Sequence, residues 1–160
     1  MVTSGHLFSA RAPLYENGVT IGYCSISRNS GSVDAAFVPI NDPATDYPIN
    51  VLCNTVDFLS TTTSRPGETA IVNMRGAASG TSSGRILGTN ESCQVDNTIF
   101  TNMTTATFAA TNGDSGGIIY SYLSASNTRP TVGVLMGKSG DVAYFSKADL
   151  VLTALGVSRY

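Results

Sequence analysis

Residues 113–117 read Gly113-Asp114-Ser115-Gly116-Gly117, and this glycine-rich stretch around one serine is the most informative part of the chain. The glycines allow a tight turn that exposes the serine hydroxyl to an approaching carbonyl group. The same turn can direct the N–H groups of Gly113 and Ser115 at one point, where an oxyanion would form. A plain hairpin turn is the alternative, because Asn112-Gly113 is a turn signal by itself. The aspartate before the serine favours a nucleophile.

Ser115 needs a base within hydrogen-bond reach, because a hydroxyl of ordinary pKa is a poor nucleophile. The chain contains a single histidine, His6, which follows the small residues Thr3-Ser4-Gly5. A lone histidine is more often structural than catalytic, but here it is the only imidazole available as a base. We therefore take His6 as the candidate general base, and expect activity to rise through about pH 6–7 as the ring loses its proton.

An imidazole that acts as a base needs an acceptor that fixes its tautomer. Asp34 is the best candidate, because it heads the apolar run 35–38 and a buried carboxylate requires a partner. The competing acids stand in proline-rich or looser polar contexts typical of solvated loops; they are Asp42, Asp46 and Asp57.

Composition limits the classes of partner. Eleven acidic and nine basic residues give a net charge of −2 without a basic stripe, so we expect no nucleic-acid partner. A membrane-spanning helix needs about 18 consecutive apolar residues, and no apolar run of the sequence comes close to that length, so we expect no membrane association. Only 12% of the 160 residues are charged, which is typical of a secreted β-rich protein. We expect one domain whose core needs no structural metal, because 42% of the residues are apolar. We expect no cofactor either.

Three cysteines, Cys24, Cys53 and Cys93, leave two possibilities open. One disulfide with one remaining thiol could form in three pairings. Three unpaired thiols, packed as small core residues, are about as probable on the sequence alone.

Short β-type runs separated by Gly, Pro, Asn and Ser clusters predict an all-β sandwich or barrel. The predicted strands are 19–26, 35–40, 69–74, 84–88, 98–108, 117–123, 131–136 and 142–145, with polar loops at 60–66 and 77–83. One helix is predicted at the C-terminus. Ser146 and Asp149 form an S-x-x-D capping box, residues 150–155 carry an apolar face, and Gly156 is placed to end the helix.

The residues quoted above resemble the chymotrypsin-like serine peptidases, specifically their small bacterial streptogrisin and α-lytic protease branch. The matching segments are 3–6, 33–38 and 113–117, in the family's order of histidine, aspartate and serine. Arg75-Gly76 with the glycine- and serine-rich stretch up to residue 86, and the C-terminal segment from residue 144 to residue 158, give further support. The resemblance covers the chain from His6 onward.

The resemblance implies two antiparallel β-barrels and a C-terminal helix within a single peptidase domain spanning residues 1–160. Residues 1–66 would form the N-terminal barrel part, 67–145 the C-terminal barrel and 146–156 the helix. Family members have two further strands before the histidine, whereas five residues precede His6 here. We therefore expect an incomplete first barrel in a chain truncated before the histidine.

The resemblance also implies the roles of the site residues. Ser115 would attack the scissile carbonyl, His6 would accept and return its proton, and Asp34 would hold the imidazole. The N–H groups of Gly113 and Ser115 would bind the oxyanion. Asp114 would be a structural anchor of the oxyanion loop, paired with a buried cation for which Arg75 is the candidate.

A substrate pocket follows from the same resemblance, and its predicted residues are Ala109, Asn112, Met136, Gly137 and Lys138. Ala109 stands where the family sets the pocket base, so we expect cleavage after small or apolar residues and poor cleavage after Lys or Arg. Met136 replaces a serine that usually polarises the triad aspartate, and Lys138 replaces a glycine or other small residue.

The expected function is that of a secreted, monomeric serine endopeptidase that cleaves protein or peptide substrates through an acyl-enzyme. Two alternatives remain open. One is a catalytically inactive relative that serves as a binding or structural module. The other is a self-processing or capsid-associated domain that cuts only once.

Overall fold

Eleven β-strands and one α-helix form the described part of the chain. The computed structural model describes residues 1–41, 52, 58–95 and 97–159. The strands are β1 Val2–Thr3, β2 Pro13–Glu16, β3 Val19–Tyr23, β4 Ile26–Ser30, β5 Val33–Phe37, β6 Ile71–Gly76, β7 Gly80–Val95, β8 Thr98–Ala106, β9 Ile118–Tyr120, β10 Thr131–Ser139 and β11 Val142–Lys147. The helix α1 spans Ala148–Leu155.

The C-terminal part closes into a six-stranded barrel in the order β10-β11-β8-β7-β6-β9, with antiparallel pairs. In β6 the side chains of Val72 and Met74 point inward and alternate with more exposed residues, which is the period of two expected for a strand with one buried face. Their partners in the core include Ile86, Leu135 and Phe145. Closure leaves this barrel without an unpaired edge.

The N-terminal part consists of two separate sheets. β1, β5 and β4 form a three-stranded sheet, and β2 pairs with β3 in a hairpin. The hairpin turns at Asn17-Gly18, where both residues have positive φ, as a two-residue type I′ turn requires. Tyr15, Val19 and Tyr23 are exposed on it. Within residues 1–41, 52 and 58–70 neither sheet closes into a barrel.

The helix α1 begins later than predicted. Its N-cap is Lys147, with no side-chain capping bond, so the prediction of a capping box at Ser146 is wrong. The hydroxyl of Ser146 instead accepts the N–H of Asp34, which lies in the neighbouring sheet. Val151 and Leu155 are buried against the β-sheets, and Gly156 ends the helix with φ 63°, as predicted.

The all-β fold with a C-terminal helix is confirmed, with corrections to its elements. β7 begins within the predicted polar loop 77–83, β2 has no predicted counterpart, and the predicted run 19–26 divides into β3 and β4. Cys24 and Cys93 carry free thiols, while Cys53 lies outside the described residues. No helix within the described ranges has the length and apolarity of a membrane span.

Candidate active site

A 3₁₀ turn at Gly5–Leu7 places His6 against the sheet that carries Asp34. A Cβ atom on Gly5 would lie 2.1 Å from the backbone oxygen of Arg28 and 2.8 Å from the backbone nitrogen of Ala35. Only glycine therefore allows the turn to approach β4 and β5 this closely. The hydroxyl of Ser27 donates to the Gly5 oxygen at 2.9 Å and fixes the approach.

His6 and Asp34 are joined by two hydrogen bonds. Nδ1 of the imidazole lies 2.7 Å from Oδ2 of Asp34, and the backbone N–H of His6 donates to Oδ1 at 2.7 Å. The Asp34 side chain is fully buried, whereas the His6 side chain is 29% exposed. A carboxylate held at Nδ1 fixes the proton there and leaves Nε2 as the basic nitrogen.

Ser146 supports Asp34 from the C-terminal barrel. Its hydroxyl, which is completely buried at the end of β11, accepts the backbone N–H of Asp34 at 2.9 Å. This contact joins residues 112 positions apart in the sequence. No local pattern indicates it, and the helix-cap pattern assigned Ser146 to another role.

The glycine-rich turn lies against the segment that precedes His6. A Cβ on Gly116, where φ is +87°, would lie 2.1 Å from Oγ1 of Thr3. The Gly116 N–H and the hydroxyl of Ser4 both donate to the carbonyl of Leu135, at 2.8 Å and 2.7 Å. The structure therefore brings the turn of Ser115 and the segment of His6 onto one shared acceptor in β10.

The hydroxyl of Ser115 donates to the backbone carbonyl of Met136 at 2.9 Å. A serine hydroxyl has one proton to donate, so this contact occupies the proton that a base would remove. Ser115 is partly exposed, as a nucleophile that receives a substrate must be.

Two N–H groups of the turn are free to bind a ligand. The N–H groups of Asp114, Gly116 and Gly117 donate to the carbonyls of Thr111, Leu135 and Asp114, respectively. Those of Gly113 and Ser115 donate to no acceptor among the described residues. The turn therefore leaves unpaired the two donors that an oxyanion hole requires.

Asp114 anchors this turn to the β6–β7 hairpin. Its carboxylate accepts the N–H groups of Ala78, Ser79 and Thr111 and the hydroxyl of Ser79, at 2.5–2.9 Å. Burial opposes its ionisation, but these four hydrogen bonds outweigh burial and lower the pKa of Asp114. The expectation that Arg75 pairs with it is wrong, because Arg75 donates to Thr81 and neutral donors satisfy the carboxylate.

The competing acids Asp42, Asp46 and Asp57 lie outside the described residues. Asp34 is the acid that the structure places on His6.

Comparison with solved structures gives the architecture. The chain matches Cellulomonas bogoriensis chymotrypsin with a TM-score of 0.81 and 23% identity, over 99% of this chain and 84% of that one. Thermobifida fusca protease A (TM-score 0.78, 24% identity, 99% and 82%) and a Nocardiopsis protease (0.79, 23%, 99% and 84%) match similarly. The chain has the chymotrypsin fold. The resemblance seen in the sequence is thereby confirmed for the fold. No protein-family model and no curated protein matches the chain.

The residues predicted for the substrate pocket of this chymotrypsin fold fall into two groups. Ala109, Asn112 and Lys138 are exposed, and Gly137 is partly buried with open space where a Cβ would stand. The N–H of Ala109 donates to Ser82 in β7 at 3.0 Å. These four residues are accessible to a ligand.

Met136 differs from the other predicted pocket residues. Its side chain is 3% exposed and packs with Phe100 and Met103, with Cys93 against the same cluster. Met136 therefore contacts Ser115 through its backbone carbonyl, whereas its side chain lies in an apolar cluster.

Proposed function

We propose that this protein is a serine endopeptidase that hydrolyses peptide bonds through an acyl-enzyme on Ser115. The observation that carries the proposal is the pairing of the single histidine, His6, with the buried carboxylate of Asp34 at 2.7 Å. A partly exposed imidazole held by a buried acid on a chymotrypsin fold is the arrangement of a general base.

In the proposed reaction, Nε2 of His6 removes the proton of Ser115 as Oγ attacks the scissile carbonyl. Asp34 keeps the ring in the required tautomer and stabilises the imidazolium that forms. The imidazolium then donates its proton to the leaving amine. Water then attacks the carbonyl of the acyl-enzyme, with His6 again acting as the base, and the ester bond to Ser115 breaks as His6 returns a proton to Oγ.

The negative charge on the carbonyl oxygen would be bound by the N–H groups of Gly113 and Ser115. The support for this assignment is that both donors lack an acceptor in the described structure, while the neighbouring N–H groups are paired. Removing one such donor costs about 3–4 kcal/mol of transition-state stabilisation in other enzymes. Asp114 would hold the loop that carries both donors.

One contact has to change before the attack. The Ser115 proton is donated to the Met136 carbonyl, so the hydroxyl must turn from Met136 to the imidazole when substrate binds. Catalytic hydrogen bonds of this kind often form only in the substrate complex. A protein in which this rotation never occurred would be an inactive relative of the peptidases, the second candidate function that this contact favours.

We further propose a secreted enzyme that acts as a monomer on proteins or peptides, with small or apolar residues before the cleaved bond. Ala109 and Gly137 leave space at the predicted pocket and supply no carboxylate that could bind a basic side chain. Lys138 is an exposed cation at its entrance.

A fluorophosphonate probe tests the proposal, because it reacts only with an activated serine beside a formed oxyanion hole. We expect stoichiometric labelling of the wild type and none of Ser115→Ala. His6→Ala should lose labelling by a factor on the order of 10³ or more. Ser124→Ala, which changes an exposed loop serine, is the matched control and should label like the wild type.

Turnover of a peptide with alanine before the cleaved bond separates an endopeptidase from a domain that cuts once. Absence of labelling in protein with a cooperative unfolding transition would instead identify the inactive relative. Labelling that persisted in His6→Ala would remove His6 from the mechanism.

A further inference from the structure

A pocket of about 260 Å³ is formed by residues that the proposed peptidase reaction does not use. Its wall joins segment 64–67, which precedes the barrel, to side chains of β7, β8, β10 and β11. Among the residues that the structure describes, the lining includes the two cations Arg65 and Lys147 and no carboxylate. A concave site with two cations and no acid in its wall favours an anion.

Lys147 carries a buried ammonium group whose charge and N–H donors are only partly satisfied by its neighbours. The residue is 7% exposed, and Nζ donates to the amide oxygens of Asn90, at 3.2 Å, and Asn102. Burial and the charge of Arg65 lower the pKa of Lys147, against the weaker attraction of Asp149. An ammonium has three N–H donors, so two amide contacts leave one donor for a ligand.

Arg65 lines the pocket, but its positive charge is largely balanced by a carboxylate. Its Nε and Nη2 both contact the carboxylate of Asp149, the first at 2.9 Å. This ion pair is neutral as a unit, so the charge of Lys147 remains unbalanced beside it. One negative charge would complete the balance, which favours a monoanion over a divalent phosphate.

Thr104 and Val132 define the ligand further. Thr104 is 3% exposed and lines the pocket, and its hydroxyl forms no hydrogen bond to any described residue. A hydroxyl in the wall of a pocket that has no partner among the described residues is available to donate to a ligand oxygen. Val132 and Pro66 give the same pocket an apolar wall, and 260 Å³ exceeds the room that a bare carboxylate needs.

We propose that this pocket binds a small monocarboxylate with a short aliphatic chain. Lys147 and Thr104 donate to the carboxylate, and Val132 packs against the chain. The site is independent of the peptidase assignment, because none of these residues touches His6, Asp34 or Ser115 through a hydrogen bond or ion pair of the described structure.

NMR titration of the intact protein with acetate, butyrate and phosphate measures the binding, and the same spectra report that each variant is folded. Butyrate buries two more methylene groups than acetate, so its Kd should be about tenfold lower. Phosphate should bind no more tightly than acetate. Lys147→Gln and the neutral, nearly isosteric Thr104→Val should each weaken butyrate binding, the first by about tenfold or more.

Lys138→Gln is the matched control, since Lys138 is the other lysine of the chain and is exposed. It should bind butyrate like the wild type. Equal Kd values for acetate and butyrate would contradict the packing of an aliphatic chain against Val132. Tighter binding of phosphate than of acetate would contradict the preference for a monocarboxylate. Undiminished butyrate binding in folded Lys147→Gln and Thr104→Val would overturn the site itself.

Discussion

Asp34, which is bonded to His6, and Asp114, which precedes Ser115 in the chain, are both buried carboxylates, but their surroundings differ in kind. Asp34 lies in the N-terminal sheet, and the donors to its carboxylate are the backbone and imidazole N–H groups of His6. Asp114 lies in the turn of the C-terminal barrel and accepts four hydrogen bonds from three neighbouring residues.

The difference shows that burial alone does not assign a role to a carboxylate. Asp34 is bound to a titratable ring that can change its charge during a reaction. Asp114 is bound to backbone and hydroxyl donors, which cannot titrate near neutral pH and can only hold the carboxylate in place. We therefore expect substitution of Asp34 to affect mainly the reaction rate, and substitution of Asp114 to affect stability as well.

The largest effect is expected for Asp34→Asn. The asparagine keeps the size of the side chain but cannot stabilise an imidazolium, and it favours the wrong tautomer of His6. We expect kcat to fall by about 10⁴-fold, the size this change has in triad enzymes, with a cooperative unfolding transition retained. Peptide hydrolysis at pH 8 and urea unfolding measure the two quantities. A loss of less than about tenfold would remove Asp34 from the reaction.

Asp114→Asn should lower the free energy of unfolding by about 2–3 kcal/mol at pH 7. The NH2 group of asparagine cannot accept the hydrogen bonds that one carboxylate oxygen of Asp114 accepts, so these donors stay buried without a partner. Urea unfolding measures the loss. Asp141→Asn is the matched control, since Asp141 is exposed in the β10–β11 turn, and it should change stability by less than about 0.5 kcal/mol. Fluorophosphonate labelling of Asp114→Asn should persist at a reduced rate, because the base is intact.

The stability that Asp114 contributes should depend on pH. Hydrogen bonds lower its pKa in the folded protein, so its contribution is complete above the ordinary aspartate value of about 3.9. The contribution is lost as the pH falls below that value through the lowered pKa. The stability difference between wild type and Asp114→Asn should therefore shrink between pH 4 and the acid limit of unfolding. A difference that grew with acidity would contradict the anchoring contacts.

The sequence indicated that His6 pairs with Asp34, but it did not indicate the contacts that support the two residues. One histidine and one glycine-flanked serine left few choices, and the apolar run after Asp34 indicated a buried acid. The contacts that hold the site come from distant segments, such as the Leu135 carbonyl shared by Ser4 and Gly116. A backbone acceptor carries no signal in the sequence, because every residue has one.

Two errors have the same physical origin. Arg75 was matched to Asp114 by charge, yet backbone N–H groups and a serine hydroxyl satisfied the carboxylate. Ser146 was matched to α1 by a local capping pattern, yet its hydroxyl serves the Asp34 backbone across the molecule. In both cases tertiary contacts outweighed the preference that a local pattern or a charge indicated.

The smallest effect is expected for Ser146→Ala, which tests whether Ser146 is a positioning residue for Asp34. The change leaves the buried N–H of Asp34 without its acceptor, at a cost of about 1–3 kcal/mol in the free energy of unfolding. Activity should fall by about tenfold or less, because the carboxylate shifts while the triad stays complete. Its pH–rate profile should also move, since a displaced carboxylate stabilises the imidazolium of His6 less well and His6 then loses its proton at a lower pH.

Ser121→Ala is the control for that experiment, because Ser121 is also buried and, of the described residues, its hydroxyl is hydrogen-bonded to Ser64 alone, at 3.5 Å. It should leave both the rate and the pH profile unchanged. A shift of the acid limb in Ser146→Ala alone means that the hydroxyl acts through Asp34 on the base. If both variants lost stability and neither moved the profile, Ser146 would be a packing residue, and the carboxylate of Asp34 would be positioned by His6 and its own strand.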